Sequence, residues 1–452
     1  MKTLLFSASL LSLALLSSAA VAAASPEEAG ALGKTLTPIG AEKAGNADGS
    51  IPAWDGGLTK PVAGFVAGGF YPDPYASDKP LFTINATNLA QYKDKLSPGQ
   101  QALLKRYPDW SMTVYPTRRS AAWPAGIYEE TRQNATKVQL ASGGNGFTGT
   151  TGGFPFPIPK SGVEAVWNHI AGYRGDTYAE SWSQAAITTG GDYTLVNFDY
   201  EYDYVYANQQ KKPEQREENL LLRFLQVVNA PPRLAGGLIL VHEYTDQVAQ
   251  PRKAWTYSPG QRRVRLAPNV AYDNPGTAAD GLRTNDDFYM FNGATDRYDW
   301  KLVGKKELYV PYNAYKLNGN TLKFEDVLKK GHINPEHVRY ELHRVWMVEA
   351  VLKPGTSHIY KRRTFYIDED SWKILVADKY DNRDQLWRVD EQHTSTFYDV
   401  PFVQDGVEVK HDLQSGRYLA MRLRMGEKKV YDRISRTPAD YTPDAVRTRG
   451  VR

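Results

Sequence analysis

Long stretches of the chain alternate apolar and polar residues with a period of two. "YTLVNFDYEYDYVYA" (193–207) does so along its whole length, and 237–244, 253–268, 341–352, 360–377 and 385–398 follow the same rule. This alternation predicts strands with one buried face. A helical period appears in three places. Ser97-Pro98-Gly99-Gln100 supplies an N-cap serine, a first-turn proline and a glutamine three positions on, followed by Leu103 and Leu104 and stopped at Pro108. Val163, Val166, Trp167 and Ile170 predict a helix within 163–173. Leu221, Phe224, Leu225 and Val228 predict another over 220–228, closed by Pro231-Pro232. Together these elements predict a mainly β (α+β) chain: one large antiparallel sheet with a few helices packed against it.

Two hairpins show how the sheet divides its faces. With the turn at Pro259-Gly260, Tyr257 faces Arg262, Thr256 faces Arg263, Trp255 faces Val264 and Ala254 faces Arg265. One face then carries Trp255, Tyr257, Val264 and Leu266, and the other Ala254, Thr256, Arg263 and Arg265. With the turn at Glu369-Asp370, Ile367 faces Trp372, Phe365 faces Ile374 and Arg363 faces Val376. Phe365, Ile367, Trp372, Ile374 and Val376 share a face, and Thr364, Tyr366, Lys373 and Leu375 form a mixed, solvent-tolerant one. A sheet packed on one side accounts for this pattern. Two arrangements bury the same face: helices cover it fully and make it plain core, or they cover a strongly curved sheet incompletely and leave a cavity for a lipid-like guest. Alternation alone does not choose. In the second case Trp255, Tyr257, Val264, Leu266, Phe365, Ile367, Trp372 and Ile374 are the candidate ligand-binding residues. Arg263 and Arg265 sit on the outer face, as contacts for an acidic partner, or for a ligand head group if they reach the rim.

The chain's beginning adds a compartment. Met1-Lys2, the apolar run Leu4–Leu16 and the small-residue sites Ala20-Val21-Ala22 and Ala22-Ala23-Ala24 spell a secretory signal peptide over 1–24. An irregular arm (25–80), in which Ile51, Trp54 and Phe70 are the expected anchors, a single domain (81–440) and a tail (441–452) follow. No later segment has the length and apolarity of a membrane span. Without cysteine, the 452-residue chain has to hold itself by its core. Its net charge of +4, or +3 once Lys2 is removed, does not suggest a nucleic-acid binder.

Few catalytic patterns survive their context. "GNGFTG" (144–149) spells a dinucleotide loop, but "FPFPIP" follows where a helix is required, so no cofactor is expected. His332, His337 and His343, with Glu336 and Glu341, match no zinc-helix spacing, so no metal is expected. There is no G-x-S-x-G elbow and no thiol. A carboxylate pair hidden in the fold keeps a periplasmic hydrolase of polysaccharide or lipid open as an alternative, beside a non-catalytic adaptor.

"TLTPIGAEKAGNADGSIPAWDGG" (35–57), "GGFPFPIPKSGVEAVWNHIAGYRG" (152–175) and "RTRGVR" (447–452) resemble the bacterial envelope family known as domain of unknown function 1329. The 253–268 hairpin and "FYIDEDSWKIL" resemble outer-membrane lipoprotein-sorting-like proteins. The resemblance implies a half-barrel, an incomplete β-barrel with helices on its concave face, located in the periplasm and carrying acyl chains or lipids. It also implies a resistance-nodulation-division exporter and an outer-membrane protein as partners, and brings no catalytic motif. The long chain and its arm depart from lipoprotein carriers, so a smaller hydrophobic molecule or fatty-acid derivative fits as cargo equally well.

Overall fold

The computed structural model describes residues 23–267 and 270–450. The leader pattern, except for its last two residues, and the final two residues of the tail lie outside that range. A sixteen-stranded open sheet dominates the molecule. One antiparallel meander runs through β1 (Thr177–Ile187), β2 (Leu195–Tyr204), β3 (Leu220–Ala230), β4 (Leu238–Tyr244), β5 (Lys253–Ser258) and β6 (Arg263–Leu266). A second runs through β7 (Tyr298–Pro311), β8 (Tyr340–Leu352), β9 (Arg362–Asp368), β10 (Ile374–Tyr380), β11 (Leu386–Gln392), β12 (Glu408–Asp412) and β13 (Arg417–Leu423). Pairing of β13 with β1 joins the meanders into one curved surface, an incomplete barrel. The consecutive strands β6 and β7 therefore stand far apart in the sheet order, β6 at one edge and β7 beyond β8 toward the other. Their connection has to cross the sheet, and residues 271–294 do so along its concave side. Leu282, Arg283, Asp286, Asp287, Tyr289, Met290 and Phe291 of this crossing loop are all buried.

Among the described residues four longer helices accompany the sheet: α1 (Pro98–Arg106), α2 (Ala125–Asn134), α3 (Gly162–Ala171) and α4 (Pro443–Gly450). The capping box of α1 forms as its sequence requires, with Ser97 and Gln100 exchanging hydrogen bonds. Ser97 Oγ also donates to Asp378 of β10 at 3.1 Å. Ser97→Ala is expected to lower unfolding stability in urea by about 1–2 kcal/mol; an unchanged midpoint would refute that role. Helix α3 is buried at every position, because its two faces meet the sheet and the crossing loop. Ile374 N donates to His169 Nδ1 at 3.1 Å, which leaves Nε2–H to donate to Tyr289 O at 2.7 Å. No helix among the described residues is long and apolar enough to cross a membrane.

Three expectations are corrected. Residues 220–228 are not a helix but most of β3, paired on both sides by β2 and β4. Leu220, Leu221, Leu222, Leu225 and Val228 are buried, and an apolar run covered on both faces loses the alternation that distinguishes a strand. In the first hairpin Val264 pairs with Tyr257 and Leu266 with Trp255, two residues from the expected register, because Pro259–Arg262 form the loop with Arg262 at φ +51°. A shift of two preserves each residue's face. In the second hairpin a register shift between Tyr366 and Ile367 sets Phe365 opposite Ala377 and Tyr366 opposite Val376, moving Val376 to the other face. That face is not solvent-tolerant: Thr364, Tyr366, Lys373 and Leu375 are buried, and Leu308 and Val310 of β7, with Tyr312 just after it, pack with Tyr366 and Leu375.

The arm is irregular and firmly docked. Ile51 is buried, Trp54 and Phe70 half-buried, and Trp54 Nε1 donates to Ala121 O at 3.1 Å. Arg119 donates to the carbonyls of Glu42, Lys43 and Pro52, Arg344 to those of Glu42 and Ala44. Asp370 and Glu369 at the tip of the β9–β10 hairpin hold these arginines. Gly40, at φ +101°, lies so close to Pro157 O that a Cβ would stand 1.8 Å from it. That close approach joins the two longer family-like motifs.

Candidate functional site

The crossing loop does not lie flush on β2–β4. Between them is a cleft of about 560 Å³, counted out to its open mouth. Its floor is one face of the sheet. Tyr202 pairs with Phe224 and Phe224 with Val241; Gln226 pairs with Ile239, and Leu222 with Glu243. Directly paired residues share a face, so Tyr202, Leu222, Phe224, Gln226, Ile239, Val241 and Glu243 all look into the cleft. The loop supplies the opposite wall, chiefly Arg283, Phe288 and Tyr289. Phe288 stands 5.8 Å from Phe224 between ring centres, and Tyr202 5.3 Å from Phe224.

Polar groups sit among this apolar lining, and several lack partners. Arg252 pairs with Glu243 at 2.6 Å and donates to Val270 O and Asn292 O. Arg283 differs. It is only 4 % exposed, and among the described residues no carboxylate lies within ion-pair distance of it. One N–H reaches Thr284 O at 3.2 Å, and the guanidinium carbon lies 5.4 Å from the Phe288 ring centre. Burial pushes the Arg283 guanidinium below its ordinary value. At Arg363 and Arg422 burial acts in the same sense but neighbouring carboxylates outweigh it and raise the value. Arg283 Nε, Gln226 Nε2, Tyr202 Oη and Glu243 Oε2 have no hydrogen-bond partner among the described residues.

The chain matches the family model "Protein of unknown function (DUF1329)" over residues 83–447. It belongs to the DUF1329 family. An uncharacterized protein of Pseudomonas aeruginosa is 52% identical over 456 residues, covering 100% of both chains. A solved DUF1329 family protein of Desulfovibrio piger is 17% identical, with 62% of this chain and 95% of that chain covered at a TM-score of 0.42. A proposed outer membrane lipoprotein-sorting protein domain of Vibrio parahaemolyticus is 11% identical, with 63% and 98% covered at a TM-score of 0.43.

In this DUF1329 protein the residues singled out from sequence fall into two groups, neither of which lines the cleft. Trp255, Tyr257 and Val264 lie across the sheet from it. They pack with Leu225, Leu238 and Leu240 beneath Tyr441 and Val446 of the C-terminal segment, and Tyr257 donates to Gly450 O at 2.9 Å. Leu266 is 61% exposed. Arg263 and Arg265 are exposed and stand on the cleft's side of the sheet. They pair with Ser258 and Thr256, and Thr256 pairs with Ile239. Phe365, Ile367, Trp372 and Ile374 are fully buried in the main core, with Trp372 Nε1 donating to Ile39 O at 3.0 Å. Tyr202, Ile239 and Val241 belong to stretches whose alternation was evident. Leu222 and Phe224 were hidden by the helical reading of β3, and Arg283 and Phe288 by a loop with no periodicity.

Two other places invite chemistry. A larger groove of about 1290 Å³ runs between the arm and residues 313–321 and 336–339, and its walls mix Tyr71, Tyr75, Tyr115 and Tyr315 with Asp73, Asp78, Lys316, Glu336 and Arg339. His343, Asp368 and Asp370 bring one ligating atom each within 4.8 Å of one another. Both Asp370 oxygens, however, accept from Arg119, and His343 Nε2 faces Glu341 at 3.0 Å. The cluster thus works as an ion-paired anchor for Arg119, which in turn holds the arm's carbonyls.

Proposed function

We propose that this DUF1329 protein is a non-enzymatic binder of a hydrophobic, lipid-like molecule, held in the cleft between the crossing loop and β2–β4. The observation that carries the reading is the open apolar face formed by Leu222, Phe224, Ile239 and Val241 under Phe288. Pockets of this kind, mostly apolar with a few convergent polar groups, are where small molecules bind. The signal-like leader and the family resemblance support a further reading, in which the protein works in the periplasm for an envelope transport system, with a resistance-nodulation-division exporter and an outer-membrane protein as partners.

Delipidated protein is expected to take up a dansyl-labelled fatty acid saturably, read as a rise in dansyl emission. Phe224→Ala should weaken uptake about tenfold, since roughly 60 Å² of lost apolar contact at about 25 cal/mol per Å² corresponds to a factor of ten. Trp255→Ala, across the sheet, should leave it unchanged. Absence of uptake, or equal losses in the two variants, would overturn the reading.

A further inference from the structure

We propose that the guest of this cleft is a monoanionic amphiphile, a long-chain carboxylate, and that Arg283 is the residue that receives its head group. The inference rests on the reading of the cleft as a lipid site and adds the chemistry of the guest's polar end. Three observations lead to it, and they are independent of the apolar lining.

The first is charge. Burying a cation without a partner is strongly unfavourable, and the other deeply buried arginines of this molecule obey that rule. Arg363 has Asp286 at 2.7 Å, Arg174 has Asp405 at 2.9 Å, and Arg422 has Glu180 at 2.8 Å. Arg283 has the same burial and lacks a carboxylate within ion-pair distance among the described residues. Arg252, the other guanidinium lining the cleft, is already neutralised by Glu243. Arg283 thus has no counter-ion in direct contact, Asp286, Asp287 and Glu408 acting on it only from beyond ion-pair distance, and one negative charge on a guest would fill that place. A carboxylate supplies that, whereas a phosphate monoester dianion would leave a second charge buried and unmatched.

The second is geometry. A guanidinium offers five N–H donors in a planar fork suited to the two oxygens of a carboxylate. At Arg283 one N–H is engaged by Thr284 O, and Nε has no acceptor among the described residues. Gln226 Nε2, 3% exposed and also lining the cleft, is a further donor with none. Both residues border the same otherwise greasy slot.

The third is how the loop holds the side chain. A bridge between Pro275 and Thr284 closes a small loop around it, and Gly276 N donates to Arg283 O at 3.0 Å. A Cβ at Gly276 would stand 2.5 Å from Arg283 Cζ and Nη1. The backbone thus seats the guanidinium where any larger residue at position 276 would displace it.

The test compares dodecanoate, dodecanol and dodecyl phosphate by calorimetric titration of delipidated full-length protein. Wild type should bind dodecanoate ~10- to 100-fold more tightly than dodecanol, the usual worth of a charge-assisted bond at a buried site, and more tightly than dodecyl phosphate. Arg283→Gln should erase that preference. Gly276→Ala, which keeps the arginine but shifts it, should reduce the preference. Arg283→Gln should also leave the thermal midpoint of the ligand-free protein unchanged or raised, because it removes an uncompensated charge, whereas Arg363→Gln should lower it. Equal binding of dodecanoate and dodecanol by wild type, or a preference that survives Arg283→Gln, overturns the head-group assignment alone. Tightest binding of dodecyl phosphate overturns the carboxylate. Failure of all three to bind overturns the lipid reading of the cleft, and the head-group assignment with it.

Discussion

Lys379→Met is expected to destabilise the protein by about 3–5 kcal/mol, the usual cost of stranding a buried charge. Lys379 lies on β10 with no exposed side-chain surface. It pairs with Asp287 at 2.7 Å and with Asp390 of β11, while Lys410 of β12 holds Asp390 at 2.8 Å. Arg363 of β9 pairs with the neighbouring Asp286. These strands thus present a row of cations on the concave side, and the crossing loop answers with two adjacent aspartates. Burial alone would raise the Asp287 carboxyl, but Lys379, Lys410 and Arg363 outweigh it and hold it far below its ordinary value. Methionine keeps much of the stem's volume and removes the charge, leaving Asp287 and Asp390 short of a partner in a dry interior. Urea unfolding of the variant measures the loss, with Lys429→Met at the exposed Lys429–Asp432 pair as a control expected to change nothing measurable. A loss below about 1 kcal/mol at Lys379 would mean that these ion pairs do not pin the loop. Because the same loop forms one wall of the cleft, the variant should also weaken guest binding.

Acidification from pH 7 to 4.5 is expected to cost stability, and two substitutions should change that cost in opposite directions. His411 is fully buried, neither ring nitrogen has a partner among the described residues, and burial holds its value down to about 3. His169 and His393 are likewise held to about 3 by burial. Such a histidine stays neutral in the folded state, while the unfolded chain takes up a proton below about 6.5. Its contribution is therefore present above that pH and is lost as pH falls toward 3. Asp378 and Glu391, beneath α1, behave oppositely. Burial raises each to about 7, so the folded state holds protons that the unfolded state has released. Their contribution is full below the ordinary carboxylate range and is lost as pH rises through 7. His411→Phe, which keeps a ring beside Tyr418, should lose less stability than wild type on acidification. Glu391→Gln should lose more. Each difference is on the order of 1–3 kcal/mol, from about 1.4 kcal/mol per unit of pH for one fully buried group. Urea midpoints at pH 7 and pH 4.5 provide the measurement, and parallel pH profiles for the two variants and wild type would sink the argument.

The sequence was legible where one face of an element meets water and the other does not. Residues 193–207, 237–244 and 341–352 show alternation, and β2, β4 and β8 lie within one residue of those bounds or inside them. Ser97, Pro98 and Gln100 announced α1 through local hydrogen bonds that need no tertiary partner. Legibility failed where both faces are buried. "LLLRFLQVV" carries apolar residues on each side because β3 has neighbours on both edges and cover on both faces, and a helical period fits such a run by accident. It failed again in 271–294, whose order comes from Asp286 and Asp287 meeting Arg363 and Lys379, 77 and 92 residues further along the chain. Nothing local marks those aspartates as buried.

The sequence by itself therefore determined the β-rich class, the first hairpin's division into faces and the family-like motifs, because each depends on spacings within a dozen or so residues. Tertiary structure alone decided which side of that division holds the cleft. The C-terminal helix covers Trp255 and Tyr257, while the crossing loop stands off from Phe224 and Val241. Both sides of the sheet are apolar there, so which one is sealed depends on the route of distant segments, and that route follows from placing β6 and β7 far apart in one open sheet.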